Sequence, residues 1–162
     1  MTTLTRLLVP AAAVALVASG VGVGWSAAAD DPAPVVVVRE LLAQDDAPRG
    51  APDRTLGLNR VTVMPGAVLA SHHHPGTQIA YIENGVLTYT VETSSVVVHA
   101  GPSDDPRVVR RISAGQTARL KPGMWLVEQP KMTHHAANKG TTPVVIYLST
   151  LFPTGAPAAI PD

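Results

Sequence analysis

Short runs in which apolar and polar residues alternate, broken at close intervals by Gly and Pro, recur along most of this chain and predict strands. Leu56–Met64, Gln78–Glu83, Val86–Glu92, Val96–Ala100, Val108–Ser113, Gln116–Leu120, Met124–Glu128, His134–Asn138 and Val144–Leu151 all read this way. Upstream, four consecutive valines make Val35–Gln44 a strand at least at its start. About ten such segments with no long helical period predict an all-β sandwich or barrel.

Asn84-Gly85 between two of these runs is a tight-turn pair, since both turn positions tolerate positive φ. A two-residue hairpin there sets Ile82 opposite Leu87, Ala80 opposite Tyr89 and Gln78 opposite Val91. Gln78 then shares a face with Leu87, Tyr89 and Val91, while Thr88, Thr90 and Glu92 take the other. An amide on an apolar face needs a partner, which a metal or a bound ligand would supply.

Histidine is the informative residue type. Five of the six lie in two groups, His72-His73-His74 and His134-His135, about sixty residues apart. Side chains alternate along a strand, so His72, His74 and Gln78 share a side and His73 points away, provided the parity survives Pro75-Gly76. A triplet can also be a solvated loop and a pair a polar strand end. His99, alone after three valines, reads as an ordinary strand residue.

The segment from Gly66 to Gly85 resembles the first motif of the cupin family, G-x5-H-x-H-x3,4-E-x6-G: Gly66, His72, His74 and Gly85 fall in register, and Gln78 stands in the place of the glutamate. His134-x3-Asn138 matches the end of the second motif, G-x5-P-x-G-x2-H-x3-N, whose first half is degraded here; counted from Pro130, His135 is the alternative to His134. The resemblance covers approximately residues 56–151. It implies a jelly-roll (double-stranded β-helix) barrel and a metal held by His72, His74, Gln78 and His134; Tyr89, on the same face as Gln78, is the candidate hydrogen-bond donor behind them. Glu83, at an odd position, is expected to face away from this row.

The first 29 residues differ in kind. Arg6 precedes the apolar run Leu7–Trp25, and Ala27-Ala28-Ala29 follows, as in a secretory signal cleaved after Ala29. A membrane anchor is the competing reading, disfavoured by Pro10, Gly20, Gly22 and Gly24. The expected organisation is a signal peptide over 1–29, a flexible lead with a first strand and loop over 30–55, the barrel over 56–151 and a proline-rich tail over 152–162. That tail is expected to lie over the surface or exchange with a neighbour, and the protein to be secreted or periplasmic.

Twelve Lys and Arg balance twelve Asp and Glu, and no basic stripe or phosphate loop appears, which argues against a nucleic-acid partner. Without cysteine there is no disulfide framework, no zinc–thiolate site and no lipoprotein anchor. Any metal is therefore held by nitrogen and oxygen, and such a set suits Fe, Mn, Ni, Cu or Zn. Neutral ligands would leave the cation its full charge, favouring a small anionic or oxygen-rich substrate.

Two functions remain open. One is a metal-dependent enzyme, an oxygenase or isomerase; the other is a non-catalytic module that binds a small molecule or metal. An accessible metal beside a polar pocket would favour the enzyme. Outward Ile79 and Tyr81 are candidate homodimer contacts, unless the N-terminal strand or the tail covers them.

Overall fold

In the computed structural model the described residues are 36–162, so the signal-peptide reading lies outside them. The described residues form twelve strands: β1 Val37–Asp46, β2 Arg54–Val63, β3 Val68–His73, β4 Thr77–Asn84, β5 Leu87–Val91, β6 Ser95–Ala100, β7 Arg107–Ser113, β8 Thr117–Leu120, β9 Met124–Glu128, β10 His134–Ala137, β11 Val144–Pro153 and β12 Ile160–Pro161. Among the described residues no helix is long and apolar enough to cross a membrane.

The strands build two antiparallel sheets. One has seven strands in the order β1-β2-β11-β4-β9-β6-β7, the other five in the order β12-β3-β10-β5-β8. The alternation read in the sequence is met in their burial: Val61 and Val63 on β2, Ala80 and Ile82 on β4, Leu87, Tyr89 and Val91 on β5, and Val144, Ile146 and Leu148 on β11 all turn into one core. This is the all-β fold expected from the pattern, and the jelly-roll that the cupin resemblance implied.

Asn84-Gly85 does not close a hairpin. β4 pairs with β9 and β11 in the seven-stranded sheet, whereas β5 pairs with β8 and β10 in the other. The turn therefore carries the chain between sheets. Gly85 has φ 75°, and a Cβ there would stand 2.7 Å from the Pro143 carbonyl oxygen, so glycine is needed for both conformation and space. Because the sheets face each other across the core, Gln78 still lies inward with Leu87, Tyr89 and Val91: the inward face is the one expected, and the strand pairing differs from it.

A second crossing explains the histidine triplet. β3 ends at His73 and β4 begins at Thr77, so the bend at Pro75-Gly76 separates strands of different sheets. A side chain at Gly76 would strike the Leu151 carbonyl and Phe152. His72 and Gln78 thus look at the interior from opposite walls instead of lining one strand.

The tail folds back on its own chain. Its end, β12, pairs with β3 through Ile160↔His73 and Pro161↔His72, and His73 Nδ1 contacts Asp162 Oδ1 at 2.9 Å.

Candidate metal centre

Three imidazoles converge inside the barrel. His72 and His134 are cross-strand partners on β3 and β10, and His74, just beyond β3, turns in beside them. Their ring centroids lie 4.4 Å (His72–His134), 5.0 Å (His72–His74) and 5.3 Å (His74–His134) apart, and one nitrogen from each lies within 4.8 Å of the others. His74 and His134 are buried.

The outward nitrogen of each ring is already committed. Nδ1 of His72 lies 2.7 Å from the Ala70 carbonyl oxygen, that of His74 2.8 Å from Ala158 and that of His134 3.2 Å from Met132. A carbonyl accepts only from N–H, so each Nδ1 carries the proton and each Nε2 presents a lone pair. Backbone acceptors of this kind fix the tautomer of metal-binding histidines. Burial lowers the His72 pKa most, with His134 and His74 adding to the effect against the pull of Ala70 and Glu128, and this favours the neutral ligand form.

The position where the resemblance leads one to expect glutamate holds Gln78, and its direct partner across the β4–β9 ladder is Glu128. The Gln78 amide nitrogen donates to the Glu128 carboxylate and lies 2.9 Å from His74 Nε2. Tyr89 donates to Glu128 Oε1 at 2.7 Å. The two carboxylate oxygens stand 3.4 Å from His74 Nε2 and 3.4 Å from His134 Nε2. In the metal-free protein burial pushes the Glu128 carboxyl up, but the charge that His134 and His74 carry when protonated, the hydrogen bond His74 then donates and the Tyr89 hydroxyl outweigh it and hold it at about 2.

The ligand set expected from the sequence is neutral, and the buried carboxylate of Glu128 overturns that. Alternation in Met124–Glu128 puts Glu128 on the side of Leu126, but that strand is apolar on both faces, so no local pattern tells which one the barrel encloses. Only the β4–β9 pairing brings the carboxylate beside the histidines. The site is consequently not built from neutral groups alone.

Of the residues singled out in the sequence, His72, His74, Gln78, His134 and Tyr89 line one cavity of about 40 Å³. His135 lies outside it, with Nδ1 2.5 Å from Glu92 Oε1. His73 is on the outer side with Asp162, Glu83 is exposed, and His99 stacks on Trp125 at 4.3 Å. Asn138 is structural: its amide donates to the Val63 and Thr142 carbonyls and its oxygen accepts from Gly140 N–H, tying the end of β10 to β2.

The donor set fits a divalent transition metal. Three inward imidazole lone pairs and a carboxylate are borderline donors of the kind such ions take, and the buried Gln78 Oε1 has no partner among the described residues. A buried carbonyl left unpaired is costly, and a cation or a bound molecule would relieve it.

A cupin domain model matches residues 59–103. The fold is similar to that of a cupin superfamily protein from Desulfitobacterium hafniense, at TM-score 0.50 and 16% identity over 75% of this chain and 83% of that one. KdgF from Halomonas sp. is 22% identical over 74% and 83% of the two chains at TM-score 0.47, and a cupin-like protein from Thermotoga maritima 18% identical over 78% and 75% at 0.48. No curated protein matches the chain.

Proposed function

We propose, from its matched cupin domain and its two-sheet barrel, that the chain is a cupin and an exported, metal-dependent enzyme acting on a small anionic or oxygen-rich molecule. His72, His74 and His134 hold the divalent ion through Nε2. The observation that carries this reading is the common tautomer: three Nδ1–H groups engaged with backbone carbonyls leave three lone pairs aimed at one point.

The bound metal would supply a Lewis acid that polarises an oxygen of the substrate. The remaining roles fall to the chain. Glu128, held by Gln78 and Tyr89, is the proton acceptor or an additional ligand beside two of the histidines. Gln78 orients that carboxylate, and Tyr89 does so from the facing sheet. Leu69, Leu87, Leu126 and Ile146 line the same cavity and keep bulk water from it. An oxygenase or an isomerase would use such an arrangement.

The narrowness of the cavity, about 40 Å³, gives weight to a second reading in which the barrel holds metal without turnover. A neighbouring cleft of about 500 Å³ favours the enzyme. Export rests on the sequence of the first 29 residues, with cleavage after Ala29.

The test is elemental analysis of purified protein after growth with Fe, Mn, Ni, Cu and Zn, beside His72→Ala, His134→Ala and His135→Ala. Stoichiometric metal in the wild type and in His135→Ala, lost in the other two, is expected. No metal in the wild type would refute the metal centre and the enzyme with it. For export, a secreted fraction still beginning at Met1 would refute cleavage.

A further inference from the structure

Arg39 stands where two openings meet. Among the described residues it alone lines both the histidine cavity and the cleft of about 500 Å³ beside it. Its register explains why: Arg39 pairs with Val61 across the β1–β2 ladder, and Val61 is buried in the barrel core, so Arg39 is on the inward side of an edge strand that overhangs the cavity. Glu40, the next residue, takes the opposite side and pairs with Arg60 at 2.7 Å.

Arg39 takes part in none of the ion pairs among the described residues. Burial of part of its side chain lowers its pKa, against the opposing charge of Glu128, yet a guanidinium stays protonated at any physiological pH. It is not the bonded counter-ion of Glu128, whose oxygens are met by Gln78, Tyr89, His74 and His134. A planar fork of donors, exposed to the cleft and facing a cavity, remains to be filled.

The surroundings define what fills it. A cavity of about 40 Å³ has room for a few waters, at about 10–15 Å³ each, and for no whole organic acid, so only the reacting end of a molecule reaches the histidines. The cleft takes the rest. Its polar lining includes Gln44, Asp46, Asn59 and Thr150, with Asp46 accepting from Thr55 at 2.7 Å. A carboxylate there repels a second anionic group and accepts from hydroxyls, while the guanidinium matches one carboxylate through two parallel hydrogen bonds.

We propose that Arg39 recognises the substrate of this site by taking the carboxylate of a small hydroxylated acid, whose body lies in the cleft and whose reacting end reaches the histidine triad. This rests on the metal-centre reading above and names its substrate class. Arg39 also returns to the site the positive charge that Glu128 removes.

The experiment uses lactate as probe and lactamide, its neutral amide, as control, with affinities read by saturation-transfer NMR on chelator-dialysed and Ni(II)-loaded protein. Lactate should bind both forms about tenfold more tightly than lactamide, as expected for a lost charge-assisted pair. Arg39→Gln should erase that difference, and Arg39→Lys, which keeps the charge but not the fork, should keep part of it. Metal content of Arg39→Gln should equal the wild type, since Arg39 touches no imidazole. Equal binding of lactate and lactamide, undetectable lactate binding, or lactate binding unchanged in Arg39→Gln would each overturn the proposal. If wild-type protein holds no metal but lactate still binds through Arg39, the metal centre fails and the anion site stands; metal present with binding indifferent to Arg39 is the reverse.

Discussion

Gln78 and Glu128 face each other across the β4–β9 ladder, joined by a hydrogen bond from the amide to the carboxylate. The pair amounts to an exchange of side chains between neighbouring strands: the carboxylate that the first cupin motif places on one strand is supplied here by its cross-strand partner. Charge is conserved while position is not.

Exchanging the two residues tests this. Glu128→Gln should weaken Ni(II) or Zn(II) binding about 10- to 100-fold, the usual effect of losing a group that supports metal ligands. Gln78→Glu alone sets two buried carboxylates against each other and should lower unfolding free energy by about 3 kcal/mol. The double variant should recover most of both losses, measured by competitive chelator titration and urea denaturation. Losses that simply add in the double variant would show that the two positions do not share one role.

How far the site was legible follows from what each residue needed. His72, His74 and His134 sit in short motifs, so spacing alone reached them, and strand parity placed Gln78 and Tyr89 inward. Glu128 carries no motif and its strand alternates between two apolar faces, so nothing local distinguishes it. Ala158 is a backbone contact of the tail, invisible to any reading of side chains. The hairpin at Asn84-Gly85 was misread for a related reason: turn chemistry reports that the chain reverses, not which sheet it enters.

Gly85→Ala probes that crossing. Positive φ at a residue with a Cβ costs about 1 kcal/mol or more, and the added carbon would press on the Pro143 carbonyl at 2.7 Å. Unfolding free energy should fall by about 2 kcal/mol or more, with metal stoichiometry kept at temperatures below the transition. A change within about 0.5 kcal/mol would mean the turn relaxes and the close approach of Gly85 to the Pro143 carbonyl is not required.

Acid stability should depend on Glu128 in a defined direction. Its carboxyl is held at about 2 against an ordinary value of 4.5, so the unfolded chain binds the proton more readily than the fold. The stabilisation from this group is complete above the ordinary value and is lost as pH falls from about 4.5 towards 2. Thermal midpoints of chelator-treated wild type should therefore drop across that window more steeply than those of Glu128→Gln. Parallel curves for the two proteins would assign the acid limb to other carboxylates.

The tail ends against the candidate metal site. Ala158 supplies the carbonyl that accepts from His74 Nδ1 at 2.8 Å, and Phe152 stacks on the same ring at 5.8 Å. Deleting residues 157–162 removes the acceptor and the β12 pairing but leaves Phe152 and the two sheets' central strands in place. His74 then loses the bond that sets its tautomer, and metal affinity should fall about tenfold, while far-UV circular dichroism stays that of a β protein. Restoring the chain as far as residue 159, which returns the Ala158 carbonyl without β12, separates the two contributions: recovery of affinity assigns the effect to that carbonyl, and no recovery assigns it to the pairing of Ile160 with His73.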